Sequence, residues 1–197
     1  MDYTITETFN TVTRQLRHNP QRAEKKVRQL KQILGYLFTA SSRRQVMLGD
    51  EVRFLAVYLE LASSCFGKRL KYQIVAPSVF HRTPMPTMLI APLVENAIRH
   101  GLAPRGGNGE IVITISWKKR YLRIGVTDDG LGFDPNLIVG ANGDAARRPS
   151  REVVTGLVKV RERVEQISGP GHWWLTSSPY LGTIIVFEIP HGVGTER

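Results

Sequence analysis

VTDDGLGFDP, residues 126–135, places a pair of adjacent acids, Asp128 and Asp129, and two glycines where an apolar-alternating stretch runs out. Leu122, Ile124 and Val126 alternate with polar residues, the period of a half-buried strand. The Asp-Gly-x-Gly that ends it is either a turn leaving the strand or the rim of a pocket. A carboxylate at a strand end can accept hydrogen bonds from a ligand amino group, and bare glycine backbone lets a flat ring approach. Taken alone the motif is weak, because acid–glycine turns are common. The surrounding chain has to decide.

Upstream, Ile111, Ile113, Ile115 and Trp117 show the same alternation, and WKKRY separates the two runs, which predicts an antiparallel hairpin. Before it, TMLIAPLVENAIRHG (residues 87–101) is apolar enough for a buried helix. Pro92, which lacks an amide hydrogen, should kink it or sit in its first turn. Gly101 reads as its C-terminal stop. On α-helical spacing Asn96 and His100 share one face while Glu95 and Arg99 share the neighbouring one. Four polar residues in six, on a buried helix, must be satisfied internally or presented at a cleft, and an exposed helix end is the alternative. Downstream the pattern predicts a Gly/Asn/Pro-rich loop from Pro135 to Ser150, a helix carrying Leu157, Val160, Val164 and Ile167, and strands at HWWLTSS and GTIIVFEIP.

The first third of the chain has helical period throughout. Phe9, Val12 and Leu16 mark a short helix that HNP (18–20) breaks. Ala23, Val27, Leu30, Leu34 and Leu37 form a stripe on a second helix running to about Ala40. Val52, Leu55, Leu59, Ala62 and Phe66 form a third between Asp50 and Phe66. Three successive amphipathic helices must pack on each other, on a second subunit or on the domain downstream. A strand is expected over Leu70–Val75.

At 197 residues the chain can build one substantial core or a helical module beside an α/β domain. No apolar run approaches the roughly 20 residues of a membrane helix, so a soluble, cytoplasmic protein is expected. The single cysteine, Cys65, lies in a helical pattern and cannot form an internal disulfide. The net charge of +10 favours anionic partners without choosing among them. Arg22, Lys25, Lys26, Arg28 and Lys31 share a helical period with apolar residues and lack interleaved aromatics, so they read as a solvated face rather than a nucleic-acid patch.

Taken in order, APLVENAIRHG, VTDDGLGF, TGLVKVRERV and GTIIVFEIP resemble the ATP-binding domain of the GHKL superfamily of histidine kinases, DNA gyrase, mismatch-repair ATPases and heat-shock chaperones. FNTVTRQL, LGYLF, EVRFLAVYLELASSCFGKRL and the proline-rich lead into the VENA helix narrow the resemblance to LytS-type sensor histidine kinases, over about Thr4 to Pro190. That resemblance implies a two-layer α/β sandwich over residues 67–197, preceded by a helical, dimerisation-like module over residues 1–66. It puts Glu95, Asn96, Arg99 and His100 in the asparagine box, with Asn96 completing a magnesium that bridges the ATP phosphates and Glu95 orienting or deprotonating the attacking group. Asp128 would take the adenine amine, with Gly130 and Gly132 shaping the pocket floor and Thr183 supporting the aspartate. Gly156 would lie near the phosphates, and residues 135–155 would form a lid from which Arg147, Arg148 and Arg151 either reach phosphate or remain solvated.

The sequence departs from the family pattern at three points. Aligning Phe9 and Asn10 with the end of the acceptor motif NPHFLFN puts Thr6 where the phosphoacceptor histidine belongs, and His18 lies in the interhelical break. Val154 replaces the first glycine of the glycine box, and Lys159 replaces a usual asparagine. The resemblance also leads one to expect a sensing region ahead of the helices, and the sequence given starts almost at the acceptor-like helix, as either a stand-alone protein or a piece of a longer one would. The expected function is ATP-dependent signalling of the histidine-kinase type, with ATP and magnesium as cofactors, a response regulator as partner and a homodimer through the N-terminal helices. The alternatives are a catalytically degenerate ATP-binding adaptor and an anti-sigma-like protein kinase acting on another protein.

Overall fold

The computed structural model describes residues 2–15, 18–67, 69–135 and 151–190. Helix α1 spans Asp2–Gln15, α2 Pro20–Ser41 and α3 Leu48–Cys65. The break at HNP is also the start signal of α2. Asn19 Oδ1 accepts the Arg22 amide at 3.1 Å, and Pro20 takes the first helical position, where a missing N–H costs nothing.

The apolar stripe of α2 differs from the expected one. Ala23, Leu30, Ile33 and Ala40 are buried together with Lys26 and Gln29, whereas Val27 and Leu34 are 50% and 49% exposed. Apolar residues stand at both i+3 and i+4 around Leu30, so the sequence allows two faces. The face chosen is the one on which Lys26 Nζ reaches Ser64 Oγ of α3, and burial holds that ammonium below its ordinary pKa. Leu16 lies outside the described residues.

Helix α3 is the central rod of this module. Phe54, Leu55, Tyr58, Leu59, Leu61 and Ala62 are all buried, Phe54 stacks on Tyr36 at 4.4 Å, and Tyr58 Oη accepts from Thr4 Oγ1 of α1 at 2.9 Å. Two short strands, β1 (Gln45–Met47) and β3 (Pro84–Pro86), pair antiparallel ahead of it. Three-residue strands carry too little alternation to be read from sequence, and two prolines argue against a strand at all.

The main sheet has five strands: β2 (Leu70–Val75), β4 (Gly109–Lys118), β5 (Tyr121–Asp128), β6 (Trp173–Ser178) and β7 (Gly182–Pro190), in the order β2-β4-β5-β7-β6. Only β2 and β4 run parallel. The expected hairpin is present, with Ile113 opposite Val126 and Lys118 opposite Tyr121. Ile111, Ile113, Ile115, Leu122, Ile124, Ile185, Phe187 and Ile189 form the buried face, against which α3, α4 (Ala91–Asn96) and α5 (Arg151–Ser168) pack. This is the expected two-layer α/β sandwich, and its core is continuous with that of α2 and α3.

Pro92 sits in the first turn of α4. The helix does not stop at Gly101. It widens into a π-helical turn over Ala97–Leu102, tightens into a 3-10 turn over Ala103–Arg105 and ends at Gly106, whose φ of 69° is left-handed. The stop signal belongs to Gly106, and Gly101 instead makes room for a neighbouring loop.

Ile33 and Leu34 test the choice of face on α2. Ile33→Ala should lower unfolding free energy by about 2–5 kcal/mol through transfer and cavity terms. Leu34→Ala should stay within about 0.5 kcal/mol in urea titrations run dilute enough to keep chains apart.

Candidate functional site

The last residue of β5, Asp128, pairs across the sheet with Thr183 of β7. Its side chain is buried, and Oδ1 accepts the Gly130 amide at 2.9 Å. Burial raises the carboxyl to about 6. The Gly130 amide opposes this, Asp129 adds to it, and the Thr183 main-chain amide opposes it again. Thr183 therefore serves the carboxylate through its backbone, while its hydroxyl lies 3.0 Å from Ser177 Oγ. A buried acid with spare acceptor capacity, at the mouth of a sheet, is equipped to take an N–H donor.

The loop after Asp128 meets the helix that carries Asn96. A β-carbon on Gly101 would stand 2.8 Å from Asp128 Oδ1, and one on Gly130 would stand 2.6 Å from the Gly101 carbonyl carbon. Leu131 donates its amide to Gly101 O at 3.0 Å, which locks the contact. Gly132, at φ 55°, passes so close to Ser178 O and Gly182 O that a side chain there would overlap them. Phe133 N–H then bonds to Ser177 Oγ at 2.9 Å, tying the loop to β6.

On the same helix, five residues before Gly101, Asn96 is faced by Gly156 of α5. A β-carbon on Gly156 would lie 3.4 Å from Asn96 Nδ2 and 3.6 Å from Oδ1. Asn96 Nδ2 is buried with no hydrogen-bond partner, an arrangement that is costly unless something else completes it. An amide that presents one oxygen and one unused N–H beside bare backbone fits an anionic ligand carrying a hard cation.

Of the other residues singled out around Asn96, Glu95 lies in α4 while Arg99 and His100 lie in the π turn. Glu95 and His100 are half-buried, Arg99 is exposed, and all three have interaction partners. The four-residue spacings assumed for an α-helix do not hold there, since the hydrogen bonds of Ala97–Leu102 span five residues. Gly101 was legible only as a helix stop; RHG gave no sign that its missing side chain admits the Asp128 loop. Val154 and Arg151 belong to the first turn of α5 with side chains outside the described part, and Arg147 and Arg148 lie outside the described residues. Lys159 is exposed, as are His18 and, on α1, Thr6.

A family model for histidine kinase-, DNA gyrase B- and HSP90-like ATPases matches residues 84–193, more than half of the chain. The chain belongs to that family. A second model, for histidine kinases, matches residues 5–70. The sensor histidine kinase YpdA of Escherichia coli strain K12 is 31% identical over 185 residues, covering 93% of this chain and 31% of that protein. The sensor protein LytS of Streptococcus mutans is 26% identical over 188 residues, covering 94% of this chain and 32% of that protein. The chain thus spans about a third of the length of these relatives. Among solved structures, the histidine kinase domain of a blue-light activated kinase from Erythrobacter litoralis has a TM-score of 0.52 at 18% identity, over 91% of this chain and 80% of that one. The catalytic domain of histidine kinase ThkA has a TM-score of 0.53 at 20% identity, over 75% of this chain and 95% of that one. Both share the fold.

The raised carboxyl of Asp128 predicts a pH effect on stability. Its folded pKa of about 6 exceeds the unfolded 3.8, so between these values the native state holds more protons and stability falls as pH rises, levelling above about 6. Asp128→Asn should remove a decline of roughly 3 kcal/mol at most from chemical denaturation curves measured between these pH values. The part of the slope due to Glu51, whose carboxyl is pushed from 4.5 to about 7, should remain.

Proposed function

We propose that this histidine-kinase-family chain binds magnesium-ATP between the Asn96 helix and the Asp128 loop and transfers the γ-phosphate in a two-component signalling pathway. The observation that carries this reading is the pair of close approaches at Gly101–Gly130 and Gly156–Asn96. Together they leave a buried acceptor suited to the adenine amine and an unpaired amide suited to the phosphate end, each beside bare backbone. Asp128 accepts the exocyclic amine, with Gly130 and Gly132 leaving room for the ring. Asn96 holds the metal and the phosphate end, with Arg99 and His100 supplying donors and Thr183 steadying Asp128. Magnesium, when bound, offsets phosphate charge. Glu95 orients or deprotonates the attacking group. Phosphoryl transfer of this kind rests on positioning more than on covalent chemistry, which suits a site built from close backbone contacts.

In this reading residues 1–66 serve as the helical module and residues 67–197 as the nucleotide domain. Exposed Phe9, Val27, Leu34 and Phe38 on α1 and α2 offer a face for a homodimer, and a response regulator receives the phosphoryl group. No described helix is long and apolar enough to cross a membrane.

A second reading, an ATP-binding adaptor, is favoured by Thr6. Thr4 and Thr8 of α1 are buried against α3, and Thr6 is exposed at the acceptor position. A hydroxyl of very high pKa replaces an imidazole that is nucleophilic near neutrality.

Two measurements test these readings. Calorimetry should show magnesium-dependent ATP binding that Asp128→Asn weakens by about 1–3 kcal/mol, the loss of a buried polar bond; unchanged affinity in that variant contradicts the adenine assignment. With labelled ATP, the purified chain should acquire no acid-labile, base-stable label. Such label on His18 or another of its histidines contradicts the Thr6 alignment, and label passed to a response regulator favours the kinase over the adaptor.

A further inference from the structure

Glu51, in the first turn of α3, is completely buried. Its Oε1 accepts the main-chain amides of Ile90 at 2.9 Å and Ala91 at 3.2 Å, which are the amides that open α4. Opening amides of a helix have no intrahelical partner, and the residue at the cap position, Ile90, has no side-chain acceptor to offer. The acceptor instead comes from a helix 39 residues earlier in the chain. A buried carboxylate is costly and persists where its hydrogen bonds fix something.

The same lead-in is held from the opposite side. Arg163 of α5 donates to Thr87 O at 2.7 Å and to Met88 O at 3.3 Å. Helix α5 also carries Gly156, the residue facing Asn96. The start of α4 is therefore clamped between a carboxylate of the N-terminal helices and a guanidinium of the helix that closes on Asn96, and Asn96 is the last residue of α4.

We propose that Glu51 is a positioning residue of the nucleotide site: by capping α4 it fixes where Asn96 stands against Gly156, and so couples the N-terminal helices to magnesium-nucleotide binding. The inference rests on the reading of Asn96 as the metal-binding residue. The ionisable groups bearing on Glu51 are Tyr36 from α2, whose hydroxyl also feels Asp50 of α3, and Arg163 from α5. The Tyr36 hydroxyl bears on the carboxylate from α2, while the main-chain amides the carboxylate accepts are those that open α4. Burial raises Glu51 to about 7, against the amides of Ile90, Ala91 and Met88 and the charge of Arg163. The ionised form is the stronger acceptor toward a helix start. The cap therefore tightens as pH rises through about 7.

The test compares ATP affinity with and without magnesium in the wild-type chain, Glu51→Ala, Glu51→Gln, Asn96→Ala and the core control Ile33→Ala, at a temperature where circular dichroism shows each folded. Glu51→Ala should lose roughly tenfold of the magnesium-dependent gain in affinity, the order expected for a lost cap. Its metal-free affinity should hold. Glu51→Gln keeps a carbonyl acceptor and should retain most of the gain at pH 6 while losing the increase through pH 7. The nucleotide's own titration is common to all variants and cancels. Ile33→Ala, which destabilises the core but removes no hydrogen bond to α4, should keep both the gain and its pH dependence. If folded Glu51→Ala and Glu51→Gln keep the wild-type gain and pH profile while Asn96→Ala loses the gain, the positioning role is overturned and the metal assignment stands. If Asn96→Ala keeps the gain, the metal assignment and this inference fall together. Should Glu51→Ala not fold, the pH profile of Glu51→Gln decides alone, an unchanged profile overturning the proposal.

Discussion

Everything at the candidate site depends on two backbones touching where neither can carry a side chain. Gly101, on the π-helical extension of α4, and Gly130, in the loop after β5, stand so close that a β-carbon on either would collide with the other or with the Asp128 carboxylate. This contact brings a strand end against the π-helical turn, with Asp128 buried beside it. The raised carboxyl follows from the same cause as the close approach, namely burial. The π turn belongs to this arrangement as well, since widening the helix lets it run on past Gly101 to a left-handed stop at Gly106.

The parts of the molecule legible in the sequence are those with a repeating pattern. The β4–β5 hairpin, strand β2, the three N-terminal helices and α5 announce themselves through period 2 or period 3.6, and the structure places them within a few residues of the expected bounds. What the sequence withheld has physical reasons. Strands β1 and β3 are too short to alternate, and β3 holds two prolines. The face of α2 was ambiguous because Leu30, Ile33, Leu34 and Leu37 satisfy two stripes, and the face that is buried also takes in Lys26, which reaches Ser64 on another helix. Gly101 looked like a stop because nothing local distinguishes a capping glycine from one that admits a neighbouring loop. Asn96 and Asp128 stood out as polar groups in apolar settings, whereas Glu51 was hidden, since an acid in the first turn of a helix is ordinary.

The N-terminal helices are joined to the sandwich by shared core as well as by a tether. Buried residues of α2 and α3 are continuous with those of the sheet, and Glu51 inserts into the start of α4. A helical module fastened in this way can communicate with a nucleotide site through a rigid element. Thr6 is exposed on α1, away from that connection, while Thr4 and Thr8 face α3.

The central claim, one nucleotide cleft formed by Asn96, Asp128, Gly130 and Gly156, is tested most directly by amide-resolved nuclear magnetic resonance of the chain titrated with magnesium and a non-hydrolysable ATP analogue. The account predicts that the largest shifts fall on the Asn96 side-chain amide and on the main-chain amides of Gly130, Gly132 and Gly156, with the Asn96 shift requiring magnesium. Shifts confined to the groove between α2 and α3, around Tyr36 and Phe54, with the Asn96 and Gly130 signals unmoved, would contradict it.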